Sequence, residues 1–127
     1  MDNTNTKSEY LLLFRNTEWY KELSAEQIQQ TMTEWMAWFD GLTADGRCSG
    51  GQSLEQDGRI VSGENRHVTD GPYAESKESV AGYFILNVSD MDGALEIAKM
   101  CPALPFGATV EVRKLLDRCE ASKLADV

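Results

Sequence analysis

Within "VTDGPYAESKE", Val68 to Glu78, acids, a glycine-proline corner and an aromatic ring are crowded together. Asp70 is the group here best suited to chemistry, as general acid or base in a lyase- or isomerase-like proton transfer. His67, the single histidine, lies three residues earlier and titrates near neutral pH when unperturbed. Glu75 offers a second carboxylate that can cap the mouth of a cleft, and Tyr73 a ring carrying a hydroxyl. The candidate ligand-binding residues are therefore Asp70, Gly71, Pro72, Tyr73 and Glu75. Asp70 and His67 are the candidates for catalysis.

The same residues also satisfy an architectural account. Gly71 precedes Pro72 and is steered away from the helical region, while Pro72 fixes its own φ. Gly71 permits a backbone angle that other residues resist, and the Asp70 carboxylate can accept bonds from N–H groups just ahead. In an extended strand residues 67 and 69 share one face and 66, 68 and 70 the other, so Arg66 is better placed than His67 to neighbour Asp70. Glu75, Lys77 and Glu78 then read as a solvated turn whose local ion pairs are worth little. Residue chemistry leaves both accounts open.

Other sources of reactivity are sparse. Cys48, Cys101 and Cys119 are far apart and show no CxxC spacing, which suits reduced thiols in a cytoplasmic protein. One histidine and no Cys/His cluster argue against zinc. Cys101 falls at a helix end, where the dipole disfavours a thiolate, and reads as a small buried residue. Trp35 reads as core and Trp38 as core or interface rather than as a ligand platform. Phosphate-loop and nucleophile-elbow motifs are lacking, and no cofactor is expected. A formal charge of −9 on 127 residues gives no basic footprint for nucleic acid and a poor match to an anionic membrane. The polar start predicts no secretory signal, and no apolar run approaches the ~20 residues needed to span a bilayer.

The elements that must position these groups follow from hydrophobic spacing. Residues 1–8 are polar and predict a flexible N-terminus, with a single domain over 9–115 and a polar tail over 116–127. "EYLLLFR" (Glu9 to Arg15) and "AGYFILNV" (Ala81 to Val88) read as buried strands, and "ATVEVRKL" alternates as a half-buried one. Ser24 and Gln27 fit a capping box. The helix they open places Ile28, Met32, Trp35, Met36 and Phe39 on one stripe, with Gly41 near its stop. "SDMDGALEIAKMC" predicts a second helix, capped by Ser89 or Asp90, facing inward through Met91, Ala94, Leu95, Ala98 and Cys101, and ended by Pro102 and Pro105. Between them, "CSGGQSL" and "RIVSG" are short strand candidates. The βαββαβ order predicts a ferredoxin-like α+β sandwich with its first and third strands central.

Strand faces add a prediction about assembly. Tyr10, Leu12 and Phe14 oppose Leu11 and Leu13, and Phe84, Leu86 and Val88 oppose Tyr83 and Ile85. Two helices cover one face of such a sheet, which leaves the second apolar face open. At about 25 cal/mol per Å², burying ~600 Å² of it would be worth ~15 kcal/mol before association costs. A homodimer through the open sheet face is expected; the alternative is a C-terminal tail folded over it.

"VTDGPYAESKE", "GYFILNVSDMDGALEIAKMCP" and "GATVEVRKL" together resemble the DGPF branch of the YCII-related (YciI-like) family, from about Glu9 to Leu115. Tyr73 stands where that branch carries phenylalanine. The resemblance implies a ferredoxin-like fold, a dimeric α+β barrel and a cleft beside the sheet in each subunit. YciI-like relatives are thought to use a His–Asp pair. Here the first helix has no histidine and Cys101 stands at the aspartate position, so that activity is not carried over. The resemblance points either to an unidentified small-molecule ligand in the cleft or, as an alternative, to a non-catalytic regulatory module associated with an extracytoplasmic-function sigma factor.

Overall fold

A computed structural model describes residues 8–16, 18–72 and 79–117, together with Ala121 and Leu124. Tyr73 and Glu75 lie outside the described residues, as do Lys77 and Glu78. The elements run β1 (Ser8–Arg15), α1 (Ala25–Ala44), β2 (Cys48–Ser53), β3 (Arg59–Ser62), β4 (His67–Asp70), β5 (Gly82–Val88), α2 (Met91–Ala98) and β6 (Thr109–Lys114). A short 3-10 turn, Leu104–Phe106, precedes β6. Four strands pair antiparallel in the order β2-β5-β1-β6, an α+β arrangement consistent with a ferredoxin-like fold. The two most apolar strands, β1 and β5, are central, where a neighbour on each side satisfies both edges of the backbone. Their register sets Leu11 opposite Ile85 and Leu13 opposite Tyr83.

β3 and β4 form a two-stranded ribbon of their own, inserted between β2 and β5. All eight of its residues are exposed, including Ile60, Val61 and Val68. A separate ribbon was not anticipated, because exposed strands leave no burial period to read.

The core lies under one sheet face. Tyr10, Leu12 and Phe14 of β1 and Phe84, Leu86 and Val88 of β5 are buried, with Ala94, Ile97 and Ala98 of α2 packed on them. Leu11, Leu13, Tyr83 and Ile85 on the opposite face are half-buried. Near them, Arg15 Nε donates to Glu111 Oε1 at 2.7 Å across β1 and β6, and Arg113 reaches the second carboxylate oxygen at 3.1 Å.

Both helices are rotated from the stripes expected of them. In α1 the capping box is present, with the Gln27 N–H donating to Ser24 Oγ at 3.1 Å and the Ser24 N–H to Gln27 Oε1 at 2.9 Å. The helix runs past Gly41 to Ala44. Its buried residues are Thr31, Trp38 and Leu42, whereas Met32 and Met36 are 41% and 54% exposed. The apolar arc from Ile28 to Leu42 is wider than the sheet can cover. Trp38, in ring contact with Phe14 and Phe84, fills the space above the sheet best. Thr31 tolerates burial because its hydroxyl donates to the Gln27 carbonyl at 2.8 Å. In α2, capped by Asp90 through the Gly93 N–H at 2.9 Å, Ile97 takes the inward place expected of Leu95, and Met91 and Leu95 are exposed.

Candidate functional site

The rotation of α1 has a local consequence. Met32, Trp35, Met36 and Phe39 form one wall of a cavity of about 310 Å³ between α1 and the β2–β5 side of the sheet. Phe14, Tyr83 and Phe84 line it from the sheet, and Gly51, Gln52 and Ser53 from β2. Trp19, in the turn after β1, and Ala81, just before β5, also reach it. The volume lies at the small end of the range typical of ligand sites.

Sequence explains why the space exists. A Cβ on Gly51 would lie 2.6 Å from the Tyr83 carbonyl oxygen, 2.9 Å from Phe84 Cδ1 and 3.3 Å from Phe39 Cε1. With no side chain there, Phe39 and Phe84 meet at 4.9 Å between ring centroids. Phe14 meets Trp35 edge-on at 4.9 Å, and Trp19 lies nearly parallel to Trp35 at 6.3 Å. Such ring pairs contribute about 0.5–1.5 kcal/mol each beyond their buried area, so this wall is held in place by its own contacts. Trp38 packs behind it, its indole N–H buried with no hydrogen-bond partner among the described residues.

The electrostatics of the cavity are those of an apolar surface. Its described lining contains no Asp, Glu, His, Lys or Arg. Ser53 shares the helix-facing side of the sheet with Gly51 and Phe84, whereas Gln52 and Tyr83, paired on the opposite face, border the cavity through their strands. An arrangement of this kind can hold a molecule by dispersion and ring contacts and orient it through a few hydrogen bonds.

Asp70, Gly71 and Pro72 sit elsewhere. Asp70 ends β4, its side chain is 72% exposed, and its carboxylate lies 3.4 Å from Arg59 Nε on the paired strand. Arg59 also holds Asp57 at 2.7 Å. Among the described residues Arg59, not Arg66, is thus the cation beside Asp70; Arg66 precedes β4 with φ +57°. His67, at the other end of β4, is exposed and faces Ser62 in the register. Gly71 is buried, with φ +143°; its N–H donates to the Gly58 carbonyl at 3.1 Å, and a Cβ would lie 3.1 Å from Ile60 Cδ1. Pro72 follows through a cis peptide bond. His67, Asp70, Gly71 and Pro72 are not in the described lining of the cavity, and the chain enters that lining at Ala81, shortly after the stretch ends.

Cys101 is buried after α2, and burial pushes its thiol up against the opposing effect of backbone hydrogen bonds from Ala103 and Leu104. It is a packed neutral thiol. Among the described residues no three His, Cys, Asp or Glu side chains are grouped to hold a metal ion. Met32, Met36, Trp19 and Trp35 are the site residues that sequence reasoning missed. For Met32, Trp35 and Met36 the signal was the over-wide apolar arc of α1, read as core; Trp19, in the turn after β1, carried no periodic signal.

A family model described as the YCII-related domain matches residues 10–117. An uncharacterised protein of Rhizobium meliloti (strain 1021) is 39% identical over 49 residues, which are 38% of this chain and 40% of that protein. The chain thus spans less than half the length of that relative.

Proposed function

The chain belongs to the YCII-related family, and we propose that it binds a small molecule in the cleft between α1 and the sheet. One observation carries this reading: a preformed cavity of about 310 Å³ whose aromatic floor is continuous with the core and whose rim includes Met32 and Met36, which the core leaves exposed. Met32 and Met36 are only partly covered, and Gly51 leaves room on the opposite wall. The proton-transfer version of the reading would require Asp70 or His67 to be brought to the cavity from the exposed ribbon. Binding is therefore the version the geometry supports best.

The same proposal includes a dimeric α+β barrel formed through Leu11, Leu13, Tyr83 and Ile85, membership of the DGPF branch, and a cytoplasmic location. Two paired apolar rows on the open face support the first, and the DGPY stretch supports the second. Two buried free thiols, Cys48 and Cys101, support the third. Among the described residues no helix is long and apolar enough to cross a membrane.

A thermal-shift screen of chemically diverse fragments tests the binding reading, run on the native chain and on Met36→Glu. Met36 is exposed, so the variant keeps the fold while placing a carboxylate in the wall. Hits lost in the variant support the cleft; hits that ignore it place binding elsewhere.

A second reading, a non-catalytic module acting with an extracytoplasmic-function sigma factor, is favoured by the ribbon, where Ile60, Val61 and Val68 are exposed. A sigma factor retained by the native chain and released by Val61→Asp would favour it over the cleft.

A further inference from the structure

We infer that the cleft selects an uncharged, flat ligand of one or two fused rings; this rests on the cleft being the binding site proposed above. The inference comes from the lining taken as a chemical surface. Trp19 and Trp35 lie nearly parallel, at 20° between ring planes, and Phe14 meets Trp35 edge-on. These rings present π faces and edges that favour another ring over a saturated chain of equal area. Met32 and Met36 stand on the same wall, and thioether sulfur packs favourably against ring edges. Such side chains also adjust to an outline that rigid aliphatic packing would refuse.

Charge is excluded by the same surface. With no cationic or anionic side chain in the described lining, a carboxylate or ammonium entering the cavity would lose water and gain no ion pair. The net charge of −9 opposes an anion further. Ser53, on the same sheet face as Gly51 and Phe84, instead suits a hydroxyl, carbonyl or ring nitrogen at the ligand's edge. Size sets the ring count. A cavity of about 150 Å³ accepts benzene, so about 310 Å³ has room for one or two rings with a substituent.

The experiment compares three molecules of one skeleton by isothermal titration calorimetry: 2-naphthol, 2-naphthoate and the saturated decahydro-2-naphthol. Each is titrated into the native chain and into Met36→Glu, with circular dichroism to verify the variant's fold. The expected result is that 2-naphthol binds about tenfold or more tighter than the other two, since the naphthoate is desolvated without a partner and the saturated ring lacks a flat face. Met36→Glu should weaken the naphthol severalfold. Equal or tighter binding of the naphthoate or the saturated alcohol, still sensitive to Met36→Glu, would overturn the ligand class and leave the cleft standing. Binding that ignores Met36→Glu would remove the cleft and the inference together. No binding of 2-naphthol at millimolar concentration would overturn the inference.

Discussion

Gly51 and Phe84 face each other across β2 and β5, so close that a Cβ on Gly51 would lie 2.9 Å from Phe84 Cδ1. The nearer obstacle is backbone, the Tyr83 carbonyl oxygen at 2.6 Å, which cannot swing aside as a side chain would. Gly51→Ala must therefore push β2 outward or displace Phe39 and Phe84. We predict a loss of about 1–3 kcal/mol in urea unfolding, the range for overpacked sites. An unchanged midpoint would mean that the strand pair yields freely and that Gly51 is not what holds the wall open.

Arg15 and Arg113 both bond Glu111, and the Arg15 hydrogen bond is the main influence holding its carboxyl below the usual glutamate range. A depressed folded pKa adds stability that is present above the unfolded pKa, near 4.3 for glutamate, and is lost as pH falls through the folded value. Glu111→Gln should lower the melting temperature at neutral pH. The gap should close as pH falls below 4 or so, where native Glu111 becomes protonated too. A gap of constant size across that window would show that packing, not charge, is responsible.

Asp70 stands on the exposed ribbon with Arg59, and pairs of that kind contribute roughly 0–1 kcal/mol. Asp70→Asn should accordingly shift the unfolding midpoint little and leave cleft binding unchanged. A fragment that binds the native chain and is lost in Asp70→Asn would return the DGPY stretch to the centre of the account.

The open sheet face is the proposed dimer surface, and Leu13 lies in its middle, with Tyr83 on one side and Glu111 on the other. Sedimentation equilibrium at micromolar concentration should find the native chain as a dimer and Leu13→Lys as a monomer. A native monomer would leave these apolar rows without the proposed cover.

Much of the fold was legible because its signals are local. Apolar runs placed β1 and β5 at the sheet centre, and Ser24 with Gln27 announced the start of α1 through bonds made within one turn. The facing of α1 was not legible. Ile28, Met32, Trp35, Met36, Phe39 and Trp38 offer two overlapping stripes, and only the shape of the sheet beneath decides between them. The cleft was hidden for a related reason. Phe14, Trp35, Gly51 and Tyr83 are far apart in sequence, and no spacing rule joins them. The DGPY stretch drew attention because the residue types that make a corner are also those that can do chemistry.

The most direct test labels the methionine methyl groups with carbon-13 and titrates the best thermal-shift fragment into the native chain. The account predicts that the Met32 and Met36 methyl resonances move together, saturably, while Met91 and Met100, exposed on and just after α2, stay fixed. A fragment that binds and leaves the Met32 and Met36 methyl resonances unmoved would contradict it.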